Sequence, residues 1–173
     1  MIIIMPRLGA SSMTYNQALK IIKKIPMTEY LQTVGSVESK QPYPQDLDFI
    51  TLIDLNIMYL LLKLTFPKTW MTTRMGTKRL DFYPIINGKN IAINIWKATE
   101  NTWPFFYFAY GYPRGFVIGM RRKAKRLGYK LNQYGLYKDG VRQDVNTLGE
   151  IFNFFNIPFR TPEEQYLKHL PKK

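Results

Sequence analysis

The run KRLDFYPIINGKNIAINIW, residues 78–96, restricts the fold more than any other part of the chain. Asn87-Gly88 between two β-rich arms is the preferred two-residue hairpin turn, because both central residues of such a turn need positive φ. A turn that short sets the register behind it. Positions equidistant from the turn face each other across an antiparallel ladder, so Asp81 is expected directly opposite Asn94, on the same face of the sheet.

Other elements are predicted around this hairpin. Thr14 caps a helix running to about Lys24, with Ala18, Ile21, Ile22 and Ile25 on one side and Lys20, Lys23 and Lys24 on the other. Pro26 is expected to stop it. YLQTV at 30–34 reads as a short strand ending at Gly35-Ser36, and FITLI at 49–53 as a second strand beyond a polar, proline-bearing loop over 37–45. A helix is expected at about 55–64. After Trp96 the stretch NTWPFFYFAYGYPRGF is dense in aromatics, proline and glycine, and it leads into a basic helix, MRRKAKRLGYK, closed by Gly128. A hairpin turning at Asp139-Gly140, a short apolar helix (LGEIFNFFN) and a polar tail follow.

With 173 residues the chain accommodates one domain, or two small subdomains sharing a cleft. Lysine and arginine number 25 against 12 acidic residues, a net charge of +13, which calls for a polyanionic partner. The absence of cysteine excludes disulfides and thiolate metal sites. Any metal must bind through oxygen or through His169, and a lone histidine beside Lys168, Lys172 and Lys173 reads as a solvated side chain. The start, MIIIMPRLGASS, does not read as a signal peptide. The apolar run at 49–66 is broken by Asp54, Asn56 and Lys63, so a strand followed by a helix is expected there rather than a membrane span.

Against this basic background, Asp46 and Asp48 stand one residue apart at the mouth of that apolar run. Residues two apart in a strand share a face, and two carboxylates there repel unless something positive lies between them. Gly35-Ser36 at the end of the preceding strand supplies what a phosphate needs, a close backbone approach and a hydroxyl, while the carboxylate pair suits Mg²⁺ beside it. The bland alternative is a turn followed by a strand with exposed acids.

The order GS…DLD, IAINIW, FAYGYP, MRRKA, YKLNQYGLY and EIFNFFNIPFRTPEEQ resembles the family X DNA polymerases, in particular their very small viral members. The likeness runs from about residue 12 to 165, and its C-terminal motifs are far more specific than the aspartate pair. The resemblance implies an α+β fold: a nucleotidyltransferase palm with a mixed β-sheet flanked by helices at 1–103, and a small C-terminal α+β subdomain at 104–173 that grips the nascent base pair. No N-terminal lyase domain is expected. It also implies two Mg²⁺ or Mn²⁺ ions on Asp46 and Asp48, triphosphate contacts from Gly35 and Ser36, and Tyr110 and Gly111 against the incoming sugar. Arg121 falls where the family reaches the templating strand through the minor groove. Arg122, Lys123, Lys125 and Arg126 are generic phosphate-binding candidates, with a solvated basic helix as the plain alternative. The implied partners are gapped or nicked double-stranded DNA and deoxynucleoside triphosphates, with no membrane, a monomeric state and an intracellular location, in host cytoplasm or virion for a viral protein.

Three positions depart from the family pattern. Ser39 stands where an arginine usually meets the triphosphate, and the adjacent Lys40 is the nearest substitute. Val117 replaces a polar base contact, so apolar packing is expected there. Asn94 occupies the place of the third carboxylate. Either it is an Asp→Asn substitution that impairs catalysis, or a neighbouring acid, Asp81, compensates; the first is preferred because a short side chain must otherwise reach across the strand spacing. The leading expectation is a template-directed polymerase filling short gaps in repair. The alternatives are a nucleotidyltransferase acting on another acceptor and a non-catalytic DNA-binding protein of the same fold.

Overall fold

A computed structural model describes residues 13–25, 30–68 and 74–170. With strands numbered in chain order, the central sheet runs β1 (Leu31–Val34), β2 (Asp46–Thr51), β7 (Ala92–Lys97), β4 (Arg79–Phe82), β3 (Arg74–Met75). The β2–β7 pair is parallel and the other three pairings are antiparallel, so the sheet is mixed. The hairpin register is the one its turn dictates: Asp81 faces Asn94, and Ile86 faces Lys89. Asn87 and Gly88 take φ of 51° and 72° as the turn requires. Pro84 has no N–H, and the ladder divides there into the β4–β7 pair and a tip pair, β5 (Ile85–Ile86) with β6 (Lys89–Asn90).

Side-chain alternation gives the sheet two unlike faces. Leu47, Phe49, Leu80, Phe82, Ile93 and Ile95 are buried on one, packed with Ala18 and Ile21 of α1 (Tyr15–Ile22) and Met58 and Leu62 of α3 (Leu55–Thr65). A capping box between Thr14 and Gln17 starts α1, and the Asp54 side chain accepts from Asn56 N–H to start α3. The opposite face carries Asp46, Asp48, Asn94, Trp96, Arg79 and Asp81, and Ile50 at its edge packs against Phe106.

Phe106 belongs to α4 (Trp103–Gly111), which is followed by α5 (Arg114–Arg126), a three-stranded sheet of β8 (Lys130–Asn132), β9 (Gly135–Lys138) and β10 (Val141–Arg142), then α6 (Leu148–Phe154) and α7 (Pro162–Lys168). Phe105, Phe108, Val117, Met120, Ala124, Leu131, Leu136 and Phe152 form a second buried cluster here. A third, small cluster of Val34, Ile50, Ala98 and Phe106 joins the two. The aromatic stretch is therefore core, and Val117 packs apolar neighbours as its side chain suggests. The fold is α+β, and none of its described helices is long and apolar enough to cross a membrane.

Several expected boundaries move. The second strand begins at Asp46 rather than Phe49, because pairing to β7 extends to Asp46 and pairing to β1 to Asp48, and the aspartates lie within the strand. Residues 35–38 are not turn and loop but a helical turn, α2 (Gly35–Glu38), in which Ser39 N–H donates to the Gly35 carbonyl. Tyr110 and Gly111 are the end of α4 rather than a turn; the break falls at Tyr112, held extended at ψ 155° by the proline after it. The basic helix starts six residues earlier than Met120, at Arg114, because Val117, Met120 and Ala124 make one apolar stripe. The polar tail contains α7, whose Thr161-Pro-Glu-Glu start forms a capping box with Glu164. Pro26 lies outside the described residues.

Candidate active site

Three polar side chains stand in one row across adjacent strands. Asp48 on β2 is the register partner of Asn94 on β7, and Asn94 is the partner of Asp81 on β4. Asp46 lies two residues before Asp48 on the same face. Asn94 Nδ2 donates to Asp48 Oδ1 at 2.8 Å, and Arg79 Nη2 lies 3.5 Å from Asn94 Oδ1. Arg79 also pairs with Asp81 and sits over the Trp96 ring, 5.0 Å from its centre. Arg79 carries no motif of its own. Its position two residues before Asp81 on a strand of known register is the signal that could have found it.

Burial and the neighbouring negative charge of Asp46 push the Asp48 carboxyl up to about 7, against the pull of the Asn94 hydrogen bond and the Arg79 charge. Gly35 comes close to the same carboxylate: a Cβ there would meet Asp48 Oδ2 at 2.7 Å, and φ at Gly35 is +67°. Ser36 Oγ, next along α2, is buried with no hydrogen-bond partner among the described residues. A buried hydroxyl without a partner and two carboxylates on one strand face form a donor set for a phosphate beside a hard divalent cation. Among the described residues no three acidic or histidine side chains converge as a metal-holding group.

The other expected site residues are dispersed around this face. Ser39 is buried, its Oγ 2.9 Å from the Gly35 carbonyl and 3.4 Å from that of Gly111, so this position ties α2 to the end of α4. Lys40 is exposed and bridges to Glu163 of α7 at 2.8 Å, which raises its pKa. Tyr110 stacks on Trp96, ring centres 4.4 Å apart and 19° from parallel, and it lies within reach of the Arg121 charge. On α5, Arg121, Arg122, Lys125 and Arg126 are exposed, whereas Lys123 Nζ donates to the Phe155 carbonyl at 2.6 Å. His169 is exposed, with Nδ1 at 2.7 Å from the Gln165 carbonyl at the end of α7.

Residues 113–165 match the family model described as DNA polymerase beta thumb. Over 157 residues the chain is 23% identical to Repair DNA polymerase X of African swine fever virus, isolate Pig/Kenya, covering 87% of both chains. It is 24% identical over 160 residues to the protein of that name from the Badajoz strain, again covering 87% of both. Among solved structures, the ternary primer/template complex of Leishmania infantum polymerase beta superposes with a TM-score of 0.76 at 17% identity, covering 91% of this chain and 77% of that one. The ternary gap complex of that protein gives 0.70 at 16% identity, with 89% and 70% covered. With a match to the polymerase beta thumb over residues 113–165, polymerase X relatives along most of its length and the polymerase beta fold, this chain is similar to the family X DNA polymerases.

Proposed function

We propose that the protein is a template-directed DNA polymerase that fills short gaps in repair. The observation that carries this reading is the close approach of Gly35, at the start of α2, to Asp48, which shares a strand face with Asp46, together with the buried, partnerless hydroxyl of the adjacent Ser36. The repair polymerases named among its relatives and the DNA complexes of its structural neighbours support the substrate class. On this reading the palm extends to about Trp103 and the rest forms the base-pair-gripping subdomain.

Asp46 and Asp48 would hold Mg²⁺ or Mn²⁺ as the oxygen ligands of this site. When bound, such an ion neutralises the departing pyrophosphate and favours the ionised primer hydroxyl. Ser36 donates its unsatisfied hydroxyl to a phosphate oxygen, and Gly35 leaves room for both the phosphate and Asp48. Tyr110, fixed by its stack on Trp96, bounds the space for the incoming sugar together with Gly111. Arg121, whose charge reaches Tyr110, contacts the templating strand, while Arg122, Lys125 and Arg126 bind phosphates. Lys40 reaches the triphosphate only by leaving Glu163.

Asn94 supports a second reading, a DNA-binding protein of this fold with impaired catalysis. Its amide already satisfies Asp48, so the third ligand of the family pattern is missing. Primer extension on a gapped duplex with Mg²⁺ or Mn²⁺ separates the two. Slow incorporation that vanishes in Asp48→Ala is the expected result. Failure of both the parent and Asn94→Asp to extend a bound primer would leave only the binding role.

A further inference from the structure

We propose that the site takes a single divalent cation, and that the Arg79 guanidinium supplies a permanent positive charge where the family pattern calls for a primer-side ion; this rests on the polymerase reading above. The orientation of the Asn94 amide is the first support. Its Nδ2 donates to Asp48 Oδ1, and its Oδ1 faces Arg79 Nη2. Turning the amide over would set oxygen against carboxylate and NH₂ against guanidinium, so the hydrogen-bond partners determine which atom points where. The one atom of Asn94 able to bind a metal is thereby directed at a cation already present.

Arg79 is held in place from two sides. Asp81 pairs with its Nε, and the Trp96 ring lies beneath its guanidinium at 5.0 Å. Both partners follow from the register, in which Arg79 faces Trp96 and Asp81 faces Asn94. An incoming dication next to Asn94 would meet this guanidinium across a few ångströms, with repulsion strengthened by partial burial.

Asp81 is itself engaged by Arg79. The acid opposite Asn94 therefore orients a cation and does not stand in as a metal ligand. Arg79 is in this sense a positioning residue for the charge distribution of the site.

The test counts bound Mn²⁺ by electron paramagnetic resonance on the full-length protein, with gapped DNA carrying a dideoxy-terminated primer and a non-hydrolysable incoming nucleotide. One ion per complex is expected in the parent and in Arg79→Lys, which keeps the charge. Two are expected in the Arg79→Gln/Asn94→Asp double variant. Two ions in the parent or in Arg79→Lys, or one in a folded double variant, would overturn the proposal. Nucleotide and DNA occupancy are read in the same samples, so a protein that binds neither fails as a polymerase, whereas two ions with both bound removes only the single-cation inference.

Discussion

At Gly35 a methyl group would lie 2.7 Å from Asp48 Oδ2 on a backbone held at φ +67°. Gly35→Ala is therefore expected to destabilise the protein by about 1–2 kcal/mol from the left-handed backbone alone, and further through displacement of Asp48; urea unfolding checks this. Asp48 itself predicts a pH dependence. Its carboxyl in the folded protein titrates near 7, well above the unfolded value of 3.8, so the folded state holds a proton that the unfolded state has lost. Metal-free protein should then lose stability as pH rises from about 4 to about 7 and lose no more from this group above that range. Thermal melts in chelator across that window should show the fall, and Asp48→Asn should flatten it. Asn94→Asp combined with Arg79→Gln puts a carboxylate in the row with no guanidinium against it, and is expected to raise the single-turnover extension rate by orders of magnitude. The aspartate pair and Asn94 were legible as residues of interest from spacing and motif order. Arg79 carries no motif, and only the hairpin register, which sets it opposite Trp96 and on the face of Asp81, marks it out.

At the level of elements, α5 divides its basic residues by function. Its buried stripe of Val117, Met120 and Ala124 faces the second core, which leaves Arg122 and Lys125 in solvent and ties Lys123 to the Phe155 carbonyl. Arg122→Ala and Lys125→Ala should each flatten the slope of log DNA affinity against log salt by about one unit. Lys123→Ala should leave the slope nearly unchanged and lower the melting temperature. Fluorescence anisotropy over a salt series reads the first effect, and equal slope changes in all three variants would contradict this division. The extent of α5 was hidden in the sequence because Gly115 and Gly119 are poor helix formers. Packing of Val117 against Phe108 and its neighbours decides that the helix starts there. The helix α7 was missed although its Thr-Pro-Glu-Glu start carries a complete capping signal.

Across the whole molecule, contact between the two cores is polar as well as aromatic. Tyr107 of α4 donates its hydroxyl to Glu38 of α2, which also accepts from Thr33, and burial with that carboxylate raises the Tyr107 pKa. Together with the Ser39 link to Gly111, this bond fixes how the aromatic helix sits on the sheet face that carries Asp46 and Asp48. Tyr107→Phe should cost about 1–2 kcal/mol, measured by urea unfolding, with the Trp96–Tyr110 stack preserved in tryptophan fluorescence.

The hairpin register, the capped helices, the two β-turns at Asn87-Gly88 and Asp139-Gly140 and the polyanion-binding charge were all determined by the sequence. Each rests on interactions between residues close in the chain, or on a sum over all of them. Tertiary structure alone decided that β2 lies parallel to β7, which sets Asp48 beside Asn94 across 46 residues of chain. It also decided that Arg79 turns its guanidinium into the same row, and that Lys40 is engaged by a glutamate from the far end of the protein. Such contacts depend on how separate elements dock, and docking is governed by the buried surface of the whole fold, which no local pattern carries.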